Sequence, residues 1–565
     1  MKAIYRRLAA AALAALARPA LAQAPATPPA PARTIALAPH DAMCGAVQLT
    51  NHNTLLLLAN LDENTAQVHC LAPDGHSAWQ ARLQRRQQVV RREELDFTRL
   101  LADLGRKGAQ QTQAKLALET AAQLTPLKIY TCGNQLFAVE KLTQEAYDKL
   151  PKAEAQHYAP GQVWLQRVDE QGQVVASAFA PRPDPNSPKT TVTEIAHFAE
   201  GDAYYEVVSE INLREETEQF FMDRYDLAGR HTRQALALPP TPPAPGKWSG
   251  LMYWDSGWNC LGHRPGQTYL FRRVLTTSDK QKPGSQPVTY QVLVLDNSGA
   301  AAGGFATTLG LQTGTGPAYS GPLPGAGEQT HVAHTSNDGK IIFDSWDVAT
   351  GGFGNFYLDY ATGDVLIYGE FNNEPLPHIA FASQANGFFA RRYSPQGQVM
   401  QQVQYLYSAA MHKDNGGDFT TRLARSCEFA IDPLTERLVF SFRQANMMNR
   451  GDRFTLFFDK DLSNPRYSHD ATSPMQQYQH PYPEVLYPGP AWLRTSPSRT
   501  HERRTYAHAD PTDAPAYAVL EQLYKQAAVT PESTYELYLT APAPGKALVV
   551  ERPQLVGGTL RVFLL

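Results

Sequence analysis

The sequence predicts an all-β fold assembled from repeated units of about four strands. Three observations carry that reading. Gly (39) and Pro (42) make up about one residue in seven of the 565, above the ~12% of an average chain, as many short strands joined by many turns require. A turn that in most copies holds Asp or Asn with Gly recurs between apolar runs, at 71–76, 168–173, 225–230, 295–299, 359–364, 393–398 (Ser with Gly) and 431–436 (Asp with Pro). A short strand opening recurs as well, with Ala at its third place: Glu194-Ile195-Ala196-His197, His331-Val332-Ala333-His334, His378-Ile379-Ala380-Phe381 and Glu428-Phe429-Ala430-Ile431. Hydrophobic residues are 43% of the chain, enough for a packed core and too many for a disordered one.

The first 22 residues read as an export signal. Lys2, Arg6 and Arg7 lead an unbroken Leu/Ala run at 8–17, and Ala20-Leu21-Ala22 offers signal peptidase its small-residue site. The run is too short to cross ~30 Å of hydrocarbon, so no membrane span is expected in the mature chain. Residues 23–33 form a Pro/Ala-rich tether. The five cysteines, Cys44, Cys70, Cys132, Cys260 and Cys427, are too sparse for a disulfide scaffold and include no Cys-x-x-Cys pair. Buried thiols are the expected role. Cys44 and Cys70 stand in neighbouring strand-like runs, and the spacing leaves a bridge between them open.

Residues 34–467 carry the repeat. Most of these turns supply an Asp that bonds its own backbone and a Gly that accepts positive φ, the chemistry of a hairpin. The flanking runs alternate with period 2, as in Tyr290-Gln291-Val292-Leu293-Val294-Leu295. From His331 to His378 is 47 residues and from His378 to Glu428 is 50. Four strands in ~40–50 residues is the spacing of propeller blades, and a fixed small residue suits inner strands that converge on an axis. Over these residues the chain resembles β-propeller repeat proteins as a broad class, without the Gly-His…Trp-Asp signature of WD40 repeats. Seven units are expected, near 40–92, 126–181, 192–238, 248–308, 330–371, 377–407 and 425–467, with six or eight left open.

Helical insertions are expected between strands. Asp96 caps one, with Leu100, Leu101, Leu104, Leu116 and Leu118 on its apolar stripe, and a shorter one starts at Thr143 and stops near Pro151. Residues 468–565 form a C-terminal extension that either closes the propeller by completing its first blade or makes a small appended α+β module. A helix is expected at 516–528 and strands at 535–539 and 559–563.

Two constellations carry candidate chemistry. If the four strand openings are equivalent, Glu194, His331, His378 and Glu428 stand at one level of the ring, and a divalent metal is the group that such His and carboxylate donors would hold. No other cofactor is expected. His331 and His334 are three apart, which puts them on opposite faces of a strand unless a bulge intervenes. The second constellation is aromatic. Trp254, Asp255, Trp258 and His263 cluster in one stretch, and Asp344, Trp346 and Asp347 in another. Aromatic faces beside carboxylates suit a sugar, and paired acids suit glycosidic chemistry. Trp and Tyr also serve as packing between blades.

Net charge is −3, and this near-neutral balance argues against a general nucleic-acid binder. The stretch Asp459-Lys460-Asp461-Leu462-Ser463 lacks the Gly and Glu of a calcium loop and reads as a solvated turn. The nucleophile-elbow, metalloprotease, Walker and dinucleotide motifs are absent. The function expected is an exported, non-catalytic propeller, periplasmic or extracellular, binding a protein or polymer partner on one face. The alternative is a secreted carbohydrate-active enzyme, hydrolase or lyase, with its site at the channel mouth. Oligomeric state is not encoded in any of these features.

Overall fold

A computed structural model describes residues 30–39, 41–60, 65–83, 128–142, 147–148, 150, 152–179, 190–212, 215, 217–239, 257–274, 288–309, 356–359, 361–371, 387–406, 424–431, 436–445, 453–470, 484–485, 536–543, 546–552 and 557–564. These residues form seven sheets. After β1 (Arg33–Leu37), the first sheet holds β2 (Asp41–Gln48), β3 (Thr54–Asn60), β4 (Thr65–Leu71) and β5 (Ser77–Leu83). The second holds β6 (Lys128–Cys132), β7 (Gln135–Lys141), β8 (Val163–Val168) and β9 (Val174–Phe179). The third holds β10 (Thr190–Glu200), β11 (Ala203–Asn212), β12 (Thr217–Asp226) and β13 (His231–Leu236). The fourth holds β14 (Asn259–Arg264), β15 (Gln267–Val274), β16 (Val288–Asp296) and β17 (Ala301–Leu309). The fifth holds β18 (Phe356–Leu358), β19 (Val365–Phe371), β20 (Gly387–Tyr393) and β21 (Val399–Leu406). The sixth holds β22 (Ala424–Ile431), β23 (Leu438–Ala445), β24 (Arg453–Phe458) and β25 (Arg466–Asp470). In the seventh, β26 (Glu484–Val485), β27 (Glu536–Ala543), β28 (Lys546–Arg552) and β29 (Gly558–Leu564) are joined by β1. The helix α1 (Lys152–Ala155) lies between β7 and β8.

From the first to the sixth, neighbouring sheets pack face to face, and the seventh packs on the first. Val47, Leu55 and Val68 of the first sheet pack on Ile129 and Leu136 of the second. Phe137 and Leu165 of the second meet Tyr204 and Tyr225 of the third. Phe198 and Val207 of the third share a core with Trp258 and Leu270 at the fourth. Tyr269 and Val292 meet Phe356 and Ile367, and Phe388 of the fifth sheet meets Phe440 and Phe458 of the sixth. Met43 and Leu56 of the first sheet close on Leu548, Val550 and Val562 of the seventh. First strands converge, β10 lying beside β6 and β14, and β14 beside β18. This is a β-propeller with its first strands innermost. Apolar faces on both sides of each sheet account for the near-continuous hydrophobic strands, such as Leu55-Leu56-Leu57-Leu58 in β3.

The repeat in the sequence has a structural origin. Between the third and fourth strands of six sheets the chain makes one and the same turn. In the second sheet Gly172 N donates to Asp169 O and Asp169 N to Gln173 O, while Asp169 Oδ1 accepts from Gln171 N (2.9 Å) and Gln173 N (2.8 Å). The turns at 72–76, 226–230, 296–300, 394–398 and 459–463 repeat the backbone pattern. At Gly397, φ is +82°, and an added Cβ would overlap the Phe305 ring of the preceding sheet, so glycine is required both by conformation and by contact.

Two expectations are corrected here. The turns at 359–364 and 431–436 join first to second strands, a different hairpin from the other five. Counting them as the same turn split one sheet in two: β18 and β19, from the expected unit 330–371, pair with β20 and β21, from the unit 377–407. Conversely, the solvated turn at 459–463 is a member of the repeat, with Leu462 at φ +61° in the glycine place. At the ends of the chain, β1 pairs antiparallel with β29 and takes the outer-strand place of the last sheet. The expected helices at 96–122 and 516–528 lie outside the described residues.

Strand alternation sorts the connections by end. Hairpins joining first to second and third to fourth strands all lie at one end of the ring, and most are tight turns. The connections at 84–127, 180–189, 240–256, 310–355 and 407–423, which lead from sheet to sheet, depart from the other end. The two ends are called here the turn end and the loop end.

Candidate functional site

Between the second and third sheets, Lys128, Lys141 and Glu194 meet on the loop-end side of the inner strands, and His197, Tyr204 and Glu206 continue the cluster along β10 and β11 toward the turn end. The placement of Glu194 and His197 depends on a bulge. Register shifts between Glu194 and Ala196, so Ile195 is the extra residue, and side chains three apart face each other. Similar bulges stand in β2 between Met43 and Gly45 and in β14 between Cys260 and Gly262. A small residue follows each one. In β14 the reason is visible: a Cβ on Gly262 would come 2.9 Å from Leu358 Cδ2 of the next sheet.

Glu194 is the centre of the cluster and 36% exposed. Its Oε1 accepts from Lys141 Nζ at 2.7 Å, and its Oε2 stands 3.1 Å from His197 Nε2 and 3.7 Å from Lys128 Nζ. The His197 contact, with help from Lys141 and Lys128, holds this carboxyl far below the usual carboxylate range, against the opposing effect of burial. On the other side of the imidazole, Nδ1 lies 2.8 Å from Tyr204 OH, which donates to Glu206 Oε1 at 3.0 Å. Glu206 is 1% exposed, and Lys141 Nζ reaches both of its oxygens at 3.4 Å. Burial pushes the phenols of Tyr204 and Tyr130 above their ordinary value, and the Glu206 charge adds to this. Lys141 is thus a bridge between two carboxylates, one at the surface and one buried.

The expected site residues fare unevenly. Glu194 sits in the cluster just described. Glu428 lies in β22 opposite Ser441, in a strand with unbroken register, so the two Glu-x-Ala stretches differ locally. Trp258 is 5% exposed and packs between sheets, its Nε1 donating to Pro239 O at 3.0 Å and the Arg272 guanidinium lying 4.6 Å over its ring. His263 is 2% exposed, stacked at 4.1 Å on Phe198. Trp254, Asp255, His331, Asp344, Trp346, Asp347 and His378 lie outside the described residues. Among the described residues no group of three His, Cys, Asp or Glu is placed to hold a metal ion. Cys70, Cys132 and Cys260 form no disulfide, and burial pushes their thiols up to about 12, 11 and 12.

Lys128, Lys141, Tyr204 and Glu206 went unrecognised in the sequence. The available signal was weak: Tyr204 and Glu206 are two apart and share a strand face, and the lysines begin and end the hairpin of β6 and β7. Nothing local says that this hairpin faces β10.

The chain is similar in structure to a Trypanosoma rangeli sialidase, at 8% identity and TM-score 0.25, over 78% of this chain and 54% of that one. It is similar to the GH43_1 enzyme of Xanthomonas citri at 9% identity and TM-score 0.25, over 62% of this chain and 92% of that one. A Pyrococcus horikoshii acylaminoacyl peptidase matches at 8% identity and TM-score 0.22, over 50% of this chain and 33% of that one. The chain thus spans about a third of that peptidase and about half of the sialidase. These likenesses are distant, and the propeller is defined by its own strand pairing and sheet contacts. No protein-family model and no curated protein matches the chain.

Proposed function

We propose that the chain is an exported β-propeller that binds a protein or polymer partner on its loop end, with the Glu194 cluster at the contact. The observation that carries this reading is the state of Glu194: a partly exposed carboxylate, held ionised by His197 and Lys141, with Lys128 beside it. A general acid needs a pKa near its working pH, and Glu194 is driven the other way. A tyrosine nucleophile needs a lowered pKa, and Tyr204 and Tyr130 are raised. An ordered pair of ammonium groups and a fixed carboxylate instead offers directed donors and acceptors to a polar ligand. Long connections depart from the same end, which is where repeat proteins commonly carry their binding loops. Export rests on the N-terminal signal pattern.

The test is to immobilise the full chain and measure retention of soluble polysaccharides and of secreted and envelope proteins, against Lys128→Ala and Glu194→Gln. Binding by the wild type that both variants weaken supports the proposal. Turnover of any glycan in the panel that Glu194→Gln abolishes would sink the non-catalytic reading in favour of a carbohydrate-active enzyme.

A further inference from the structure

At five sheet junctions the described residues include a polar link at the turn end, and one of these differs in kind. Asn134 Oδ1 of the second sheet accepts from Thr50 Oγ1 (2.8 Å) and Asn51 N (2.9 Å) of the first. Arg167 Nη1 donates to Gly201 O of the third sheet (3.5 Å), Arg264 Nη2 to Ala361 O of the fifth (3.2 Å), and Arg392 Nη2 to Lys460 O of the sixth (3.0 Å). Amides, hydroxyls, carbonyls and guanidinium groups keep one charge state across the ordinary pH range. Between the third and fourth sheets the acceptor is a carboxylate. Glu200 Oε1 and Oε2 both accept from Gly266 N at 2.9 Å, and Oε2 accepts from Asn297 Nδ2 at 2.7 Å and stands 3.2 Å from His263 Nε2.

We propose that this junction is an acid-released fastening, at which the third and fourth sheets part at the turn end while staying hinged at the loop end. The hinge is Pro239 O, which accepts from both Trp258 Nε1 and Arg272 Nη1 at 3.0 Å, groups that acid does not alter. Release follows from donor and acceptor matching. A solvent proton taken up by Glu200 turns one acceptor oxygen into an O–H that faces other donors, and the links from Gly266 N and Asn297 Nδ2 compete for what remains. Burial alone would raise the Glu200 pKa, but His263, Gly266 N and Asn297 outweigh it and hold the carboxyl below its ordinary value. The stability that Glu200 lends is therefore whole above the ordinary carboxylate range and is lost as pH falls through the folded value. His263 works in the same direction. Burial, partly opposed by Glu200, lowers its pKa, so the folded junction resists a proton that the opened one accepts. Thr268 Oγ1 lies 2.9 Å from His263 Nδ1, the Phe198 ring covers the imidazole, and Cys132 of the second sheet also feels the Glu200 charge.

The test is hydrogen exchange of the full chain at about pH 7 and about pH 4, corrected for the intrinsic pH dependence of exchange. Protection of residues 259–274 is expected to fall about tenfold more than that of 356–371, the size of one pKa unit. Glu200→Gln is expected to exchange in the acid-like manner at both pH values. Equal loosening at the fourth–fifth junction, or a Glu200→Gln variant that follows the wild-type pH course, overturns the proposal. If that variant does not fold, Asn297→Ala keeps the carboxylate and removes one donor. Loosening should then begin at higher pH, and an unchanged onset also overturns it.

Discussion

The two ends of this ring are built from different materials. The turn end consists of short hairpins, six of them nearly identical, each tied by its own Asp or Ser and most of them capped by a glycine at positive φ. The acids of these repeated turns are consumed locally, with Asp226 Oδ1 accepting from Ala228 N and Arg230 N and Asp296 Oδ1 from Ser298 N and Ala300 N, whereas Glu200 reaches across to the next sheet. The loop end receives the connections from sheet to sheet, and there charged side chains from different sheets meet around Glu194. Repeated local chemistry marks the end that holds the ring together. Unrepeated, long-range chemistry marks the end proposed to meet a partner.

That contrast can be broken at several places. Trp258→Ala should cost about 4 kcal/mol in urea unfolding, because a buried indole and its link to Pro239 are lost, while partner retention on folded protein stays unchanged. Reduced retention at unchanged stability would make Trp258 a ligand platform instead. Gly397→Val should cost about 3 kcal/mol, from a disfavoured φ of +82° and overlap with Phe305, again without affecting retention. Asp169→Ala removes two bonds to turn amides and should cost about 1 kcal/mol, measured the same way. Glu194→Gln should flatten the acid limb of the stability profile. A carboxyl with a lowered pKa stabilises the fold above its ordinary value near 4.5 and loses that contribution as pH falls below it. A variant with the wild-type acid limb would show that Glu194 is not held as described. Lys128→Ala should leave stability within about 0.5 kcal/mol, since its ion pair is a 3.7 Å contact at the surface, and should act on retention alone.

Legibility followed range. The Asp169 and Asp226 turns are written within five residues, so they were visible, and so was the period that they create. The same turn at 459–463 does not show in the sequence, because Leu462 stands in the glycine place. The strand-opening motif was read through its alanine, which hid Met43-Cys44-Gly45 and Cys260-Leu261-Gly262, where glycine does the same steric duty beside a bulge. The sequence offers Glu194 as a candidate metal ligand, but its neighbours in the structure come from β6, β7 and its own β10, with Tyr204 and Glu206 of β11 behind His197, and no spacing along the chain announces them.

By itself the sequence determined an all-β propeller, because strand alternation, turn geometry and the need for small residues near an axis are local demands that each unit must meet separately. Only the tertiary structure decided that His197 faces Glu194 across a bulge, that Trp258 and His263 are buried between sheets, and that β1 completes the last sheet. Those outcomes depend on a one-residue change of strand parity and on contacts between segments distant along the chain, and period and composition are blind to both.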